Sequence, residues 1–143
     1  MKRYMNSALL YAILAMAGGV FYREFTKLNG FTAQTTLSVV HTHYFLLGMV
    51  FSLLLLVLEK NLAFTGDKTG RVLIFYHIGL NLTAVMLVVR GVTQVLGLVL
   101  SSGMNAAISG LAGIGHILLG VSLVLLLRQL KRGVAAARSE AAL

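Results

Sequence analysis

The 143-residue chain is 58% hydrophobic and only 11% charged, with a mean hydropathy of +0.89. A water-soluble domain carries about 25% charged residues, so a soluble fold is excluded and an integral membrane protein is indicated. There is no proline and no cysteine, so forced kinks, disulfides and thiolate ligands are excluded; the net charge of +8 comes from Lys and Arg beside apolar runs, not from a basic face suited to nucleic acid.

Four apolar runs stand in chain order, Met5 to Tyr22, Leu37 to Leu58, Val72 to Leu100 and Met104 to Leu127. Each approaches or exceeds the roughly 20 residues that cross a bilayer. Lys2 and Arg3 precede the first run, which contains Ala15-Met16-Ala17. That small-x-small pattern imitates a secretory signal, but the run is expected to persist as the first helix. Its Ala8, Ala12, Ala15 and Gly19 share a helical face. After the polar segment Arg23 to Thr36 comes the second run, with "VVHTHYFLLG" near its start and Ser38, Gly48 and Ser52 near the face of His41. The charged segment Glu59 to Arg71 leads to the third run, which holds His77, Arg90 and Gln94. A tight Ser101-Ser102-Gly103 turn opens the fourth, in which Asn105, Ser109 and Gly113 step by four, as do Ala112, His116 and Gly120. The closing "AAARSEAAL" is read as a short tail without assigned function.

Short links make sequential helices antiparallel neighbours. Nine basic residues (Lys2, Arg3, Lys60, Lys68, Arg71, Arg128, Lys131, Arg132 and Arg138) fall on one side against Arg23 and Lys27 on the other. Both termini are therefore expected in the cytoplasm. The expectation is an all-α, up-down, antiparallel four-helix bundle in the cytoplasmic membrane, a single domain over residues 1–143.

Ionisable side chains are rare in hydrocarbon and mark sites when they occur. Here the set is Glu24, His41, His43, His77, Arg90, Gln94 and His116. Helices 2 and 4 are diagonal partners in a simple bundle, so a histidine from each can face one interior, the geometry of a bis-histidine haem. His41 and His116 are the expected pair, because each lies on its helix's small-residue face, where a flat cofactor or another helix can approach the backbone. His43 lies about 200° from His41 around a regular helix and so faces a second site or a neighbouring helix. Arg90, with Gln94 one turn on, needs an anion; Glu24 is the one acid able to reach it, and a haem propionate would serve equally, with Arg23 taking the second propionate. His77, beside Tyr76, is read as an interhelical hydrogen-bonding group. Tyr11 and Tyr22 are expected to pack or anchor at an interface, and the six methionines to fill core space.

The blocks "GVFYREFTKLNGFTAQTTLSVVHTHYFLLGM", "VVRGVTQVLG" and "ISGLAGIGHILLG" resemble the signature of a family of small four-span bacterial membrane proteins known as a domain of unknown function. The resemblance covers nearly the whole chain and falls on Arg23, Glu24, Gln34, His41, His43, Arg90, Gln94 and His116; His77 lies outside it. It implies a bacterial membrane setting, a shared fold and a shared polar cluster, but no activity. More distantly, the membrane histidines look like those of haem-binding subunits of respiratory oxidases, a likeness of architecture alone.

Three functions follow as expectations. The first is a haem b protein for electron transfer, gas sensing or haem handling, with His41 and His116 as ligands and Arg90, Arg23 and Gln94 around them. The second replaces haem with zinc or copper on His41, His43, His116 and Glu24. The third is a proton or ion path, which four helices could wall only in a homo-oligomer. An accessory subunit whose polar cluster specifies assembly is a fourth. "GLAGIGH" lies within a span, so its glycines are packing residues and not a nucleotide fingerprint. No nucleophile-base constellation is apparent, and no enzyme is inferred.

Overall fold

A computed structural model describes residues 1–140; the last three residues of the tail lie outside the described part. Four helices make up the chain: α1 (Lys2–Leu28), α2 (Thr36–Leu62), α3 (Thr69–Val95) and α4 (Ser102–Glu140). All four are long and apolar enough to span a membrane. They pack as an antiparallel bundle with both ends of the chain on one side. α1 lies along α2, α4 lies along α3, and the first turns of α2 join the two halves by packing on α3.

The boundaries differ from the hydropathy runs in instructive ways. α1 continues to Leu28, so Arg23, Glu24 and Lys27 ride on its last turns instead of in a loop. α3 stops at Val95, because Gly97 adopts a positive φ of 63° and turns the chain. Leu98 and Val99 thus belong to the connection, although hydropathy alone assigns them to the span. α4 starts at Ser102, where the Met104 amide donates to the Ser101 hydroxyl, an N-cap. Its 39 residues extend roughly 58 Å, about twice the hydrocarbon thickness, so the part bearing Arg128, Lys131, Arg132 and Arg138 leaves the bilayer.

The large exposed side chains are apolar, among them Leu9, Leu10, Ile13 and Met16 on α1 and Ile114, Ile117 and Val121 on α4. That surface suits lipid. Inside, small residues set the helix spacing. On α3 and α4 a Cβ at Gly79 would stand 2.6 Å from the Leu119 amide nitrogen, and one at Gly115 would stand 2.8 Å from that of Thr83. Only glycine permits this backbone approach.

α2 is irregular. It opens as a 3-10 turn (Thr36–Val39), passes through one α turn (Val40–His43), widens into a π-helical segment (Tyr44–Val50) and closes as an α-helix (Phe51–Leu62). Without proline, a π-helical insertion is the available means of bending and re-phasing such a helix. Within it Gly48 lets α1 close in, because any Cβ there would overlap the Tyr11 ring of α1. The insertion turns the histidine-bearing half of α2 relative to Ser52 and Leu55, which stay buried in the lower half.

Candidate functional site

The irregular start of α2 aims its two histidines at different neighbours. His41 packs on α1, its Cβ 3.8 Å from where a Cβ on Gly19 would stand. Its Nδ1 is buried without a hydrogen-bond partner. His43 points to α4, where its ring centroid lies 6.3 Å from that of His116, with the ring planes 87° apart. The pair brought together is therefore His43 and His116, but His116 lies exposed on α4 and not in the bundle interior where it was expected, and His41, its expected partner, turns to α1.

Hydrogen bonding fixes the tautomer of both rings. His43 Nδ1 lies 2.7 Å from the Val39 carbonyl and His116 Nδ1 lies 2.8 Å from the Ala112 carbonyl, each one turn back on its own helix. A carbonyl only accepts, so both Nδ1 atoms carry a proton, and in its neutral form each ring keeps its lone pair on Nε2. This is how a protein presents an imidazole to a metal. Beside His116, Gly113 and Gly120 have open space where a side chain would be.

Arg90 reaches α4 rather than α1. Its Nη1 donates to Asn105 Oδ1 at 2.9 Å, and its Nη2 donates to Ser109 Oγ at 2.8 Å and to the Asn105 carbonyl at 3.4 Å. The expected Glu24 partner is elsewhere: Glu24 lies 3.8 Å from Arg23 at the exposed end of α1. All the partners of Arg90 are neutral, so its charge is solvated but not compensated. Ser109 and His116 are seven residues apart on nearly one face of α4, which places the Arg90 contact roughly 10 Å along the helix from His116. A cleft of about 140 Å³ opens beside Arg90, Gln94 and Asn105. Gln94 spends its Oε1 on the Thr36 amide at 2.9 Å, closing the first turn of α2.

A second polar cluster, centred on His77, lies deeper. Tyr11 OH and His77 Nδ1 are 2.9 Å apart; Asn81 Nδ2 donates to Tyr11 OH at 3.0 Å, and Tyr44 OH donates to Asn81 Oδ1 at 3.2 Å. These bonds tie α1, α2 and α3 together at mid-depth. The sequence marks His77 and Tyr11 singly. The signal for the cluster was the i, i+4 spacing of His77 and Asn81 inside a span.

For a metal the geometry is selective. Among the described residues, no three His, Asp or Glu side chains are close enough to hold an ion, so the zinc or copper set of His41, His43, His116 and Glu24 is not gathered in one chain. Two imidazoles sharing an ion through nitrogens at about 2.0–2.1 Å have centroids roughly 6 Å apart at most, in the trans arrangement; neighbours on a tetrahedron are closer. The His43–His116 spacing matches the trans case.

Fold and surface together define a multi-pass, all-helical membrane protein. The chain belongs to the family described as "Protein of unknown function (DUF2871)", which it matches over residues 1–133. No curated protein and no solved structure matches it.

Proposed function

We propose that this is a haem-binding protein of the bacterial cytoplasmic membrane, both termini inside, in which His43 and His116 are the axial ligands of a haem b. The observation that carries the reading is the pair of facing imidazoles whose Nδ1 protons are committed to carbonyls, leaving two Nε2 lone pairs free. Gly113 and Gly120 leave α4 bare beside His116 on its exposed face, so the macrocycle would lie against the outside of the bundle. Arg90, held toward α4 by Asn105 and Ser109 and lacking a carboxylate, is placed to receive a propionate. Arg23, paired with Glu24 at the end of α1, and Gln94, capping α2, support the frame and not the haem.

When bound, such a haem supplies a one-electron couple whose potential is set by its two neutral nitrogen ligands and the low dielectric around them. His43 and His116 would both hold the iron, and a haem so ligated would supply electron transfer rather than gas binding. Their carbonyl partners keep each ring from rotating.

The test is the absorption spectrum of the full chain purified from haem-supplied cells. A six-coordinate Soret band is expected that is lost or converted to a five-coordinate form in His43→Ala and His116→Ala and kept in His41→Ala. A colourless preparation, or a spectrum indifferent to His43 and His116, overturns the reading.

A further inference from the structure

At the end of the bundle where α1 begins, a cavity of about 780 Å³ opens between α1, α3 and the α2–α3 connection. Its upper wall carries two guanidinium groups. Arg3 comes from α1, with its Nη1 3.7 Å from where a Cβ on Gly70 would stand, so it reaches across to the first turn of α3. Arg71 comes from α3. Among the described residues neither has a carboxylate within 4.0 Å, the one ion pair being Arg23 with Glu24. Glu59, the acid at the end of α2, is taken by the Thr65 amide at 3.0 Å and hydroxyl at 2.6 Å. Thr65 in turn accepts from Tyr4 OH at 2.9 Å, so the rim is pinned. Asp67 alone opposes the two cations at the mouth.

Below the guanidinium groups the character of the cavity changes. Asn6 and Ser7 offer hydrogen bonds from α1, Ile74 lines the opposite wall while remaining 58% exposed on the lipid-facing surface, and His77 forms the floor. From Arg71 to His77 is six residues, roughly 9 Å of descent into the span. A cavity that is cationic on top, hydrogen-bonding below and bordered by the exposed apolar side chain of Ile74 fits a ligand of the same order.

We propose that this cavity is a phosphate-binding site occupied by the headgroup of an anionic phospholipid, with Arg3 and Arg71 on the phosphate and the acyl chains running down past Ile74. The exposed apolar wall at Ile74 decides between sources of phosphate. A soluble anion would use only the rim, whereas a lipid uses the whole depth. Basic pockets between helices at the cytoplasmic surface recognise lipid headgroups in this way. The site is independent of the haem reading, since it shares no residue with it.

The experiment is native mass spectrometry of the full delipidated chain with dioleoylphosphatidylglycerol, dioleoylphosphatidylcholine or inorganic phosphate added. Phosphatidylglycerol is expected to bind at least tenfold more tightly than phosphatidylcholine and to resist millimolar phosphate. The Arg3→Gln/Arg71→Gln variant should lose that preference, whereas Lys60→Gln/Arg128→Gln, which neutralises two cations elsewhere on the same side, should keep it. Because the Arg3/Arg71 pair could also matter for folding, Asp67→Asn provides a second reading: removal of the opposing charge should tighten phosphatidylglycerol at least threefold. Equal retention of both lipids, an unchanged preference in Arg3→Gln/Arg71→Gln, no tightening in Asp67→Asn, or displacement of the lipid by phosphate alone each overturns the assignment.

Discussion

Tyr11 of α1 and His77 of α3 meet through a 2.9 Å hydrogen bond within their spans, and Asn81 and Tyr44 extend that contact to α2. Each member that is removed takes a hydrogen-bond partner from its neighbours. Tyr11→Phe keeps the ring that packs on Gly48 and deletes only the hydroxyl. A loss of about 0.5–1.5 kcal/mol is expected, within the range found for hydrogen bonds between membrane helices. Thermal melts in detergent measure it, and the Tyr11→Phe/Asn81→Ala double variant should lose less than the sum of the singles.

The glycines of α4 divide into two groups that behave oppositely. Gly115 lies against Thr83, and its counterpart Gly79 lies against Leu119, both within distances no side chain tolerates. Gly79→Ala and Gly115→Ala should therefore separate α3 from α4 and cost about 1–3 kcal/mol, the usual penalty of overpacking. Gly113 and Gly120 face open space. Gly113→Leu and Gly120→Leu should leave the melting temperature unchanged or raise it, since glycine is a poor helix former. Under the haem reading they should nevertheless lower haem content at least severalfold, because the added side chains occupy the face beside His116. A variant of this second group that melts normally and retains full haem would show that the cofactor does not lie there.

Arg90 permits a test of charge without loss of geometry. Asn105 Oδ1 already sits 2.9 Å from Nη1. Asn105→Asp puts a carboxylate in the same place and turns a hydrogen bond from a cation to a neutral amide into an ion pair. The variant should melt higher and bind haem more weakly, because Arg90 then has its anion within the chain. Equal haem retention in Asn105→Asp and wild type would remove Arg90 from the propionate role.

Much of this architecture was readable from the chain. The four spans and their antiparallel order followed from hydropathy and link length, and the glycine at 97 explains why α3 ends before its apolar run does. The identity of the site residues was only partly readable. Asn105 and Ser109 were visible as a small-residue step of four, yet their role as partners of Arg90 depends on which side of α3 faces α4, and spacing does not encode that. Glu24 looked like the natural partner of Arg90 on charge alone; α1 continues far enough to carry it to an exposed end beside Arg23. The choice between His41 and His43 rested on the assumption of a regular helix. The π-helical segment departs from that assumption and re-phases His41 and His43 relative to Gly48 and Ser52.

That segment yields the most discriminating prediction. A π-helical insertion accommodates one residue more than the α-helix requires, so removing one residue from Tyr44–Val50 should let α2 run as a regular helix. Leu46 is the residue to delete, being 62% exposed to lipid and outside the polar contacts. The change turns everything before it by about 100° relative to the buried Ser52 and Leu55 face, carrying His43 away from His116. Helical content by circular dichroism should be unchanged and the melting temperature equal or higher, because the regular hydrogen-bond ladder is restored. The Soret band should disappear. If the deletion variant instead binds haem as wild type does, the orientation of His43 imposed by the insertion has no bearing on the ligand, and His43 leaves the site.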